Sequence, residues 1–405
     1  MTWLLATLAL HSPSMCGHEK GLPPRVGHIV EAAWQQQAEQ EVKPPVMDPA
    51  QLPAVKSDTE LGKKYSEMVE KELKLSKDEA INARVAKLGA EMAAIANSTH
   101  ATATWGDKRF SQFDYKFKVV EGKDVNAFSL PGGFIYIYDG LVKYVESDSE
   151  LVGVISHEIA HASFRHVATL QREQGKISSI QLPLILAAIF SGGRGGTGDL
   201  LMLGNLIGTA TTSGWSVRAE TAADFGGFQY MRRSKYDPTG LLTFMERLAR
   251  DERTKTQVDW GIYRTHPPSR ERAQAITAYM EDADLPIRRS RVTTTYATMV
   301  RPGDNGTVEV VFGGRTLVAL SGTDALDRAD RVSESLNDFF DDVPNLFEVT
   351  STSEGKVLGK RKEMITLNAA DAALAKLSVA EYTSVVVRNV RGALYNLAYR
   401  VWDGG

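Results

Sequence analysis

A chain of 405 residues exceeds what one ordinary hydrophobic core serves, so two folded units are expected. Hydrophobic residues at 43% and charged residues at 24% exclude the disordered and fibrous classes, and 47 basic against 50 acidic residues leave a net charge of -3, with no global field to draw nucleic acid. The single cysteine, Cys16, excludes an intramolecular disulfide and any multi-cysteine metal site, leaving His, Glu and Asp as candidate ligands.

The chain opens with a short apolar run from Trp3 to Leu10 followed by small and polar residues, the texture of a secretory signal over 1–20, although a basic start is missing. That reading makes the protein exported and periplasmic, soluble or peripherally attached to a membrane. Residues 21–58, with "GLPPRVG" and "EVKPPVMDPAQLPAV", read as an extended linker or arm. From Glu60 to Ala96 apolar residues recur at three and four positions, predicting two helices broken near Leu75 to Lys77. "FDYKFKVV" and "FIYIYDG" carry aromatic and β-branched residues in strand patterns, so a small sheet precedes the next helix.

That helix announces itself. Ser147, with Glu150 three residues on, forms a capping-box pattern ahead of an apolar run that continues to Gly175. Two apolar patches follow, at 177–190 and 200–210. The first has 14 residues and contains Pro183, too short to span a bilayer, so no transmembrane span is expected. Together, 177–210 reads either as a lid or hairpin that covers a cleft or touches a membrane surface, or as two buried core helices. Amphipathic helices follow, from Ser216 through Arg233 and after "KYDPTG". Beyond Pro286 the texture changes to strands such as "TVEVVF", "RTLVAL" and "NLFEVTST", with helices near Asp324 to Phe340 and Val379 to Val401. No fixed-period repeat is evident, which disfavours a solenoid tail. The expected class is α+β, with a larger unit over 59–286 and a smaller α+β unit over 287–405.

Chemistry concentrates in the Ser147 helix. His157-Glu158-Ile159-Ala160-His161 is an H-E-x-x-H pattern, which on a helix sets two imidazoles on one face within reach of one metal ion, with Glu158 beside it. Zinc suits such donors, and a neighbouring carboxylate can take the proton from the attacking water in peptide hydrolysis. His166, five residues after His161, would point away from the metal face of a continuous helix, in a packing or supporting role. A catalytic zinc needs a third protein ligand. Glu220 and Asp224, i and i+4 in "WSVRAETAADFGG", offer one carboxylate for the metal and another to orient a ligating histidine.

"NAFSLPGGFIYIYDGLV", "DSELVGVISHEIAHASFRH", "RAETAADFGGFQYM", "YDPTGLLTFMERL" and "THPPSRERA" resemble, in this order, the signatures of the HtpX/Oma/Ste-type zinc metallopeptidases, the M48 gluzincins. The resemblance runs from about Glu60 to Met280. It implies a mainly helical protease domain with a small sheet at the active-site edge, one zinc ion per chain, and polypeptide substrates in unfolded or misfolded form, as in envelope quality control. Residue by residue, it implies that His157, His161 and Glu220 bind zinc, that Glu158 is the general base, that Asp224 supports a ligand, and that His266 stabilises the oxyanion or fills the fourth zinc position in a latent state. Arg272 would anchor its loop to the core. "NAFSLPGG" resembles the family's edge strand, along which a substrate could add, with Asn126, Gly132 and Gly133 as substrate-binding residues. The other reading is a latent or non-proteolytic binding or assembly factor for envelope proteins.

Overall fold

Asp48 caps the first described element, its carboxylate accepting from the Ala50 N–H at 2.9 Å. The computed structural model describes residues 45–173, 215–254, 270–395 and 397. A 3-10 turn at Pro49–Gln51 leads into α1 (Leu52–Glu72). The helix therefore begins inside the stretch expected to be an arm. Prolines at a first helical turn lack only an N–H that would be unbonded anyway, so they mark a start here rather than a linker. Val55, Tyr65 and Val69 form its buried face. After a break that bridges Leu75 to Val120, α2 (Glu79–Asn97) starts on Asp78, which accepts from Ile81 N–H.

The three-stranded sheet has β1 (Lys116–Val120), β2 (Ala127–Leu130) and β3 (Phe134–Tyr138) in the order β1-β3-β2. The first pair is parallel and the second antiparallel, with Ala127 opposite Ile137. Helices α3 (Asp139–Tyr144), α4 (Asp148–Ser163), α5 (His166–Glu173), α6 (Trp215–Met231), α7 (Thr239–Thr254) and α8 (Arg270–Glu281) follow. Every residue of α4 from Glu150 to Ala160 is buried, because α6, α7, α2 and β2 pack around it. Two glycines let α6 approach this closely. A Cβ on Gly226 would fall 2.6 Å from the Phe164 ring, and one on Gly227 3.1 Å from the His157 nitrogen.

The start of α4 follows the expected cap in part. Ser147 Oγ accepts from Glu150 N–H at 3.2 Å, but the Glu150 carboxylate accepts from Glu146 N–H and pairs with Arg247 instead of returning to the cap. Its end departs from expectation. The helix does not run to Gly175 but stops at Ser163, and Arg165 takes a left-handed φ of 52° before α5 begins.

After α9 (Arg289–Val292) comes a second core. It holds β4 (Met299–Pro302), β5 (Val308–Phe312), β6 (Arg315–Leu320), α10 (Ala325–Asp341), β7 (Val349–Ser351), β8 (Lys356–Gly359), β9 (Lys362–Thr366), α11 (Ala369–Leu374) and α12 (Val379–Leu394). The two antiparallel sheets, β4-β5-β6 and β7-β8-β9, echo one another. Both hairpin turns put two successive residues at positive φ, Gly313–Gly314 and Lys360–Arg361. Both central strands carry a register shift, at Val310/Val311 and Val357/Leu358. This two-unit echo is a repeat that sequence inspection does not find. Polar side chains of α12 cap the strand edges: Tyr382 Oη bonds both N–H and C=O of Ala319, and Arg391 donates to the Val349 carbonyl.

Among the described residues no helix is long and apolar enough to cross a membrane. The signal-like start, the 177–210 patches and His266 lie outside the described residues.

Candidate metal centre

Helix geometry brings His157 and His161 to one side of α4, and the close approach of α6 puts Glu220 opposite them. Their donor atoms lie within 4.8 Å of one another. His161 Nε2 is 3.0 Å from His157 Nε2, and the Glu220 carboxylate oxygens lie 3.3 Å and 3.4 Å from the two rings. All three side chains are largely buried, as is Glu158.

A second layer holds these groups. His157 Nδ1 is 2.9 Å from Asp224 Oδ1, so an Nδ1–H donated to the carboxylate turns Nε2, with its lone pair, toward the centre. Arg272 of α8 donates to both Asp224 oxygens at 2.7 and 2.8 Å and pairs with Glu220 at 3.0 Å. Thus the two carboxylates divide their work by position. Glu220 faces the imidazole Nε2 atoms, whereas Asp224 stands behind one ring.

Electrostatics favour a cation at this point. Burial lowers the pKa of His157, but hydrogen bonds that its ring donates to Asp224 and Glu220 outweigh it and raise the pKa to about 10. Burial likewise opposes the charge on Asp224, yet Arg272 holds its carboxyl below the usual range. Two imidazoles and one carboxylate converging on a point, with carboxylates biasing it negative, form a donor set that fits a divalent transition metal.

Other residues singled out in the sequence fall as follows. Asn126 is buried just before β2, where its carbonyl accepts from Tyr138 N–H at 3.0 Å. Gly132 and Gly133 are buried with φ of 75° and 87°. A Cβ on Gly132 would meet Thr59 Cα of α1 at 2.5 Å, and one on Gly133 the Tyr115 ring at 3.0 Å, so the close approach they permit is to this chain's own scaffold. His166 does not point away from the centre. Because α4 ends at Ser163, the chain turns back and sets His166 Nδ1 2.9 Å from His161 Nδ1. Sequence reasoning missed that contact and the residues supporting it, since spacing along a continuous helix carries no signal of the break.

Residues 81–280 match peptidase family M48. This segment is an M48 peptidase domain. The chain is similar to metalloprotease LoiP of Escherichia coli (strain K12), with 34% identity over 160 residues covering 40% of this chain and 60% of LoiP. It is also similar to the beta-barrel assembly-enhancing protease of Yersinia pestis, at 28% identity over 44% of this chain and 34% of that protein. The mitochondrial metalloendopeptidase OMA1 of Schizosaccharomyces pombe is 27% identical, over 43% and 49% respectively. The matches span no more than 60% of the length of these relatives. The M48 domain contains α4, α6 and α8, and so every residue of the metal-type cluster and of the layer behind it.

Proposed function

We propose that the protein is a zinc metalloendopeptidase that hydrolyses peptide bonds in extended, unfolded polypeptide, and that it works in the cell envelope. The convergence of His157, His161 and Glu220, with Glu158 in the same buried turn, carries this reading. When bound, zinc polarises the scissile carbonyl and lowers the pKa of the attacking water to about 7. His157, His161 and Glu220 hold the ion, and Asp224 fixes the ring of His157. Glu158 takes the proton from the attacking water and delivers it to the leaving amine as the C–N bond breaks. His266, carried over from the family motif, steadies the oxyanion.

Substrate would lie against β2, an edge strand of its sheet that packs on α4. Pairing of main chain to main chain selects extended polypeptide, because a folded segment has no free hydrogen bonds to offer. Asn126 would help hold that strand. The envelope assignment is supported by the signal-like start and by the name of the beta-barrel assembly-enhancing relatives.

The test compares wild type with Glu158→Gln for zinc content and for cleavage of casein as an unfolded substrate. Both proteins should hold zinc, with turnover by the variant lower by at least ~100-fold, as expected for loss of a general base. A chelator should abolish wild-type cleavage and added zinc restore it. Near wild-type cleavage by Glu158→Gln would overturn the mechanism, and zinc without cleavage in either protein would support the binding-factor reading.

A further inference from the structure

His157 is backed by a carboxylate, but His161 is backed by a third imidazole. His166 Nε2 lies 3.2 Å from the Trp105 carbonyl oxygen. A carbonyl can only accept, so that nitrogen carries the proton and donates it. The neutral ring then has a lone pair on Nδ1, which faces His161 Nδ1 at 2.9 Å. The shared hydrogen must come from His161, leaving a lone pair on His161 Nε2, the atom that meets His157 and Glu220.

We infer that His166 is a positioning residue that fixes the tautomer and ring orientation of His161 through a relay running from the Trp105 carbonyl through His166 Nδ1 to His161. The inference rests on the zinc reading above and extends it to a residue outside the ligand set.

The relay is built by the fold. Arg165, at φ 52°, reverses the chain after α4, and its guanidinium is clamped by Asp107 at 2.9 Å and Asp58 at 3.1 Å. Asp107 N–H caps the Phe164 carbonyl at 2.7 Å. The rings of Trp105 and Phe164 flank His166 with centroids 5.1 Å and 5.8 Å away. Gly106 admits the chain, since a Cβ there would fall 2.6 Å from the Phe164 oxygen and 2.8 Å from the His166 ring. Asp58 and the stretch Trp105–Asp107, both remote in sequence, thus converge with Phe164 and Arg165 on the placement of one buried imidazole.

Chemistry explains why an imidazole suits this place. Glu158, Glu220 and Asp224 already set three carboxylates in or beside the cluster, with Arg272 as the guanidinium that pairs two of them. A carboxylate behind His161 would add another anion to a buried site. A neutral imidazole supplies the same acceptor without the charge, so the metal keeps more of its Lewis acidity.

The experiment uses the full chain and Zn²⁺ alone as probe. Zinc affinity, measured by competition with a chromophoric chelator, should fall by about 10–100-fold in His166→Leu, as for loss of a ligand-orienting partner. His166→Asn, whose amide oxygen can stand where Nδ1 stood, should recover most of that loss. In zinc-loaded wild type, ¹⁵N NMR should show His161 protonated at Nδ1 and His166 protonated only at Nε2, a signature that a packing role would not set. Wild-type affinity in His166→Leu, or a His166 ring protonated at Nδ1, would overturn the inference. The NMR readout stands even where a variant fails to fold. Wild type that binds no zinc would overturn the metal reading itself, whereas zinc bound with the other tautomer would overturn only the relay.

Discussion

Arg272 reaches from α8 to two carboxylates on successive turns of α6, and is itself buried. Breaking a buried pair leaves the remaining charge without compensation and costs about 3–5 kcal/mol. Arg272→Met should therefore destabilise the metal-free protein by about that amount, because Glu220 and Asp224 then lose the guanidinium and keep only the His157 ring as a cationic partner. With zinc on Glu220 part of the compensation returns, so the loss in the loaded protein should be smaller. Urea unfolding of chelator-treated and zinc-loaded samples measures the difference, and equal losses would reduce Arg272 to a packing residue. The pairs His157/His161 and Glu220/Asp224 were legible in the sequence because both lie four residues apart on one helix, where local geometry decides the face. Their partner Arg272 was visible only as part of a matching block. His166 was misplaced, since a period of 3.6 residues cannot foresee a helix that stops.

The break between α4 and α5 has no local cause: no Gly or Pro occurs between Ser147 and Gln174 except Gly153, inside α4. Arg165 holds an unfavourable left-handed conformation because anions from Asp58 and Asp107, remote in sequence, anchor it. Tertiary contacts override a continuous amphipathic pattern, which is why the expected helix ran on to Gly175. The anchor is acid-sensitive. Hydrogen bonds from Arg109 outweigh burial and, with the charge of Arg165, lower the pKa of Asp107 from 3.8 to about 2. A depressed carboxyl pKa contributes stability above the unfolded value, and that contribution fades as pH falls from about 4 through about 2. In the metal-free protein, Asp107→Asn should cost about 2 kcal/mol at neutral pH, the equivalent of that shift. The gap between variant and wild type should close as the pH approaches 2. A gap independent of pH would show that Asp107 acts through its shape and backbone cap alone.

At the scale of the whole chain, the change of texture after Pro286 disclosed a second core, but not how the two cores are joined. Nor did the sequence reveal β8 and β9, whose turn uses Lys360–Arg361 where a Gly or Asn would have signalled a hairpin. The junction is bolted on both sides. Arg289 pairs with buried Glu246 of α7, and the hydroxyls of Thr293, Thr294 and Thr295 converge on Glu146, just before α4. On the other side Ser290 donates twice to Asp341 at the end of α10, and Thr298 donates to Asn337. Asp341 is the weak point. Burial outweighs the Ser290 hydrogen bonds and the charge of Arg289, and raises its pKa from 3.8 to about 6. A raised carboxyl pKa means that the junction is most stable below the unfolded value and loses stability as pH rises through about 6. Cleavage by an added protease within 288–298 should therefore quicken from pH 5 to pH 8 in wild type, relative to Asp341→Asn at each pH. The amide keeps an acceptor for the Ser290 N–H without the half-buried charge, so the variant should be the more resistant protein at pH 8 and equal to wild type well below pH 4. A ratio that does not change with pH would mean that the junction tolerates the ionised carboxylate, and that its stability resides in the Arg289 and Glu146 contacts instead.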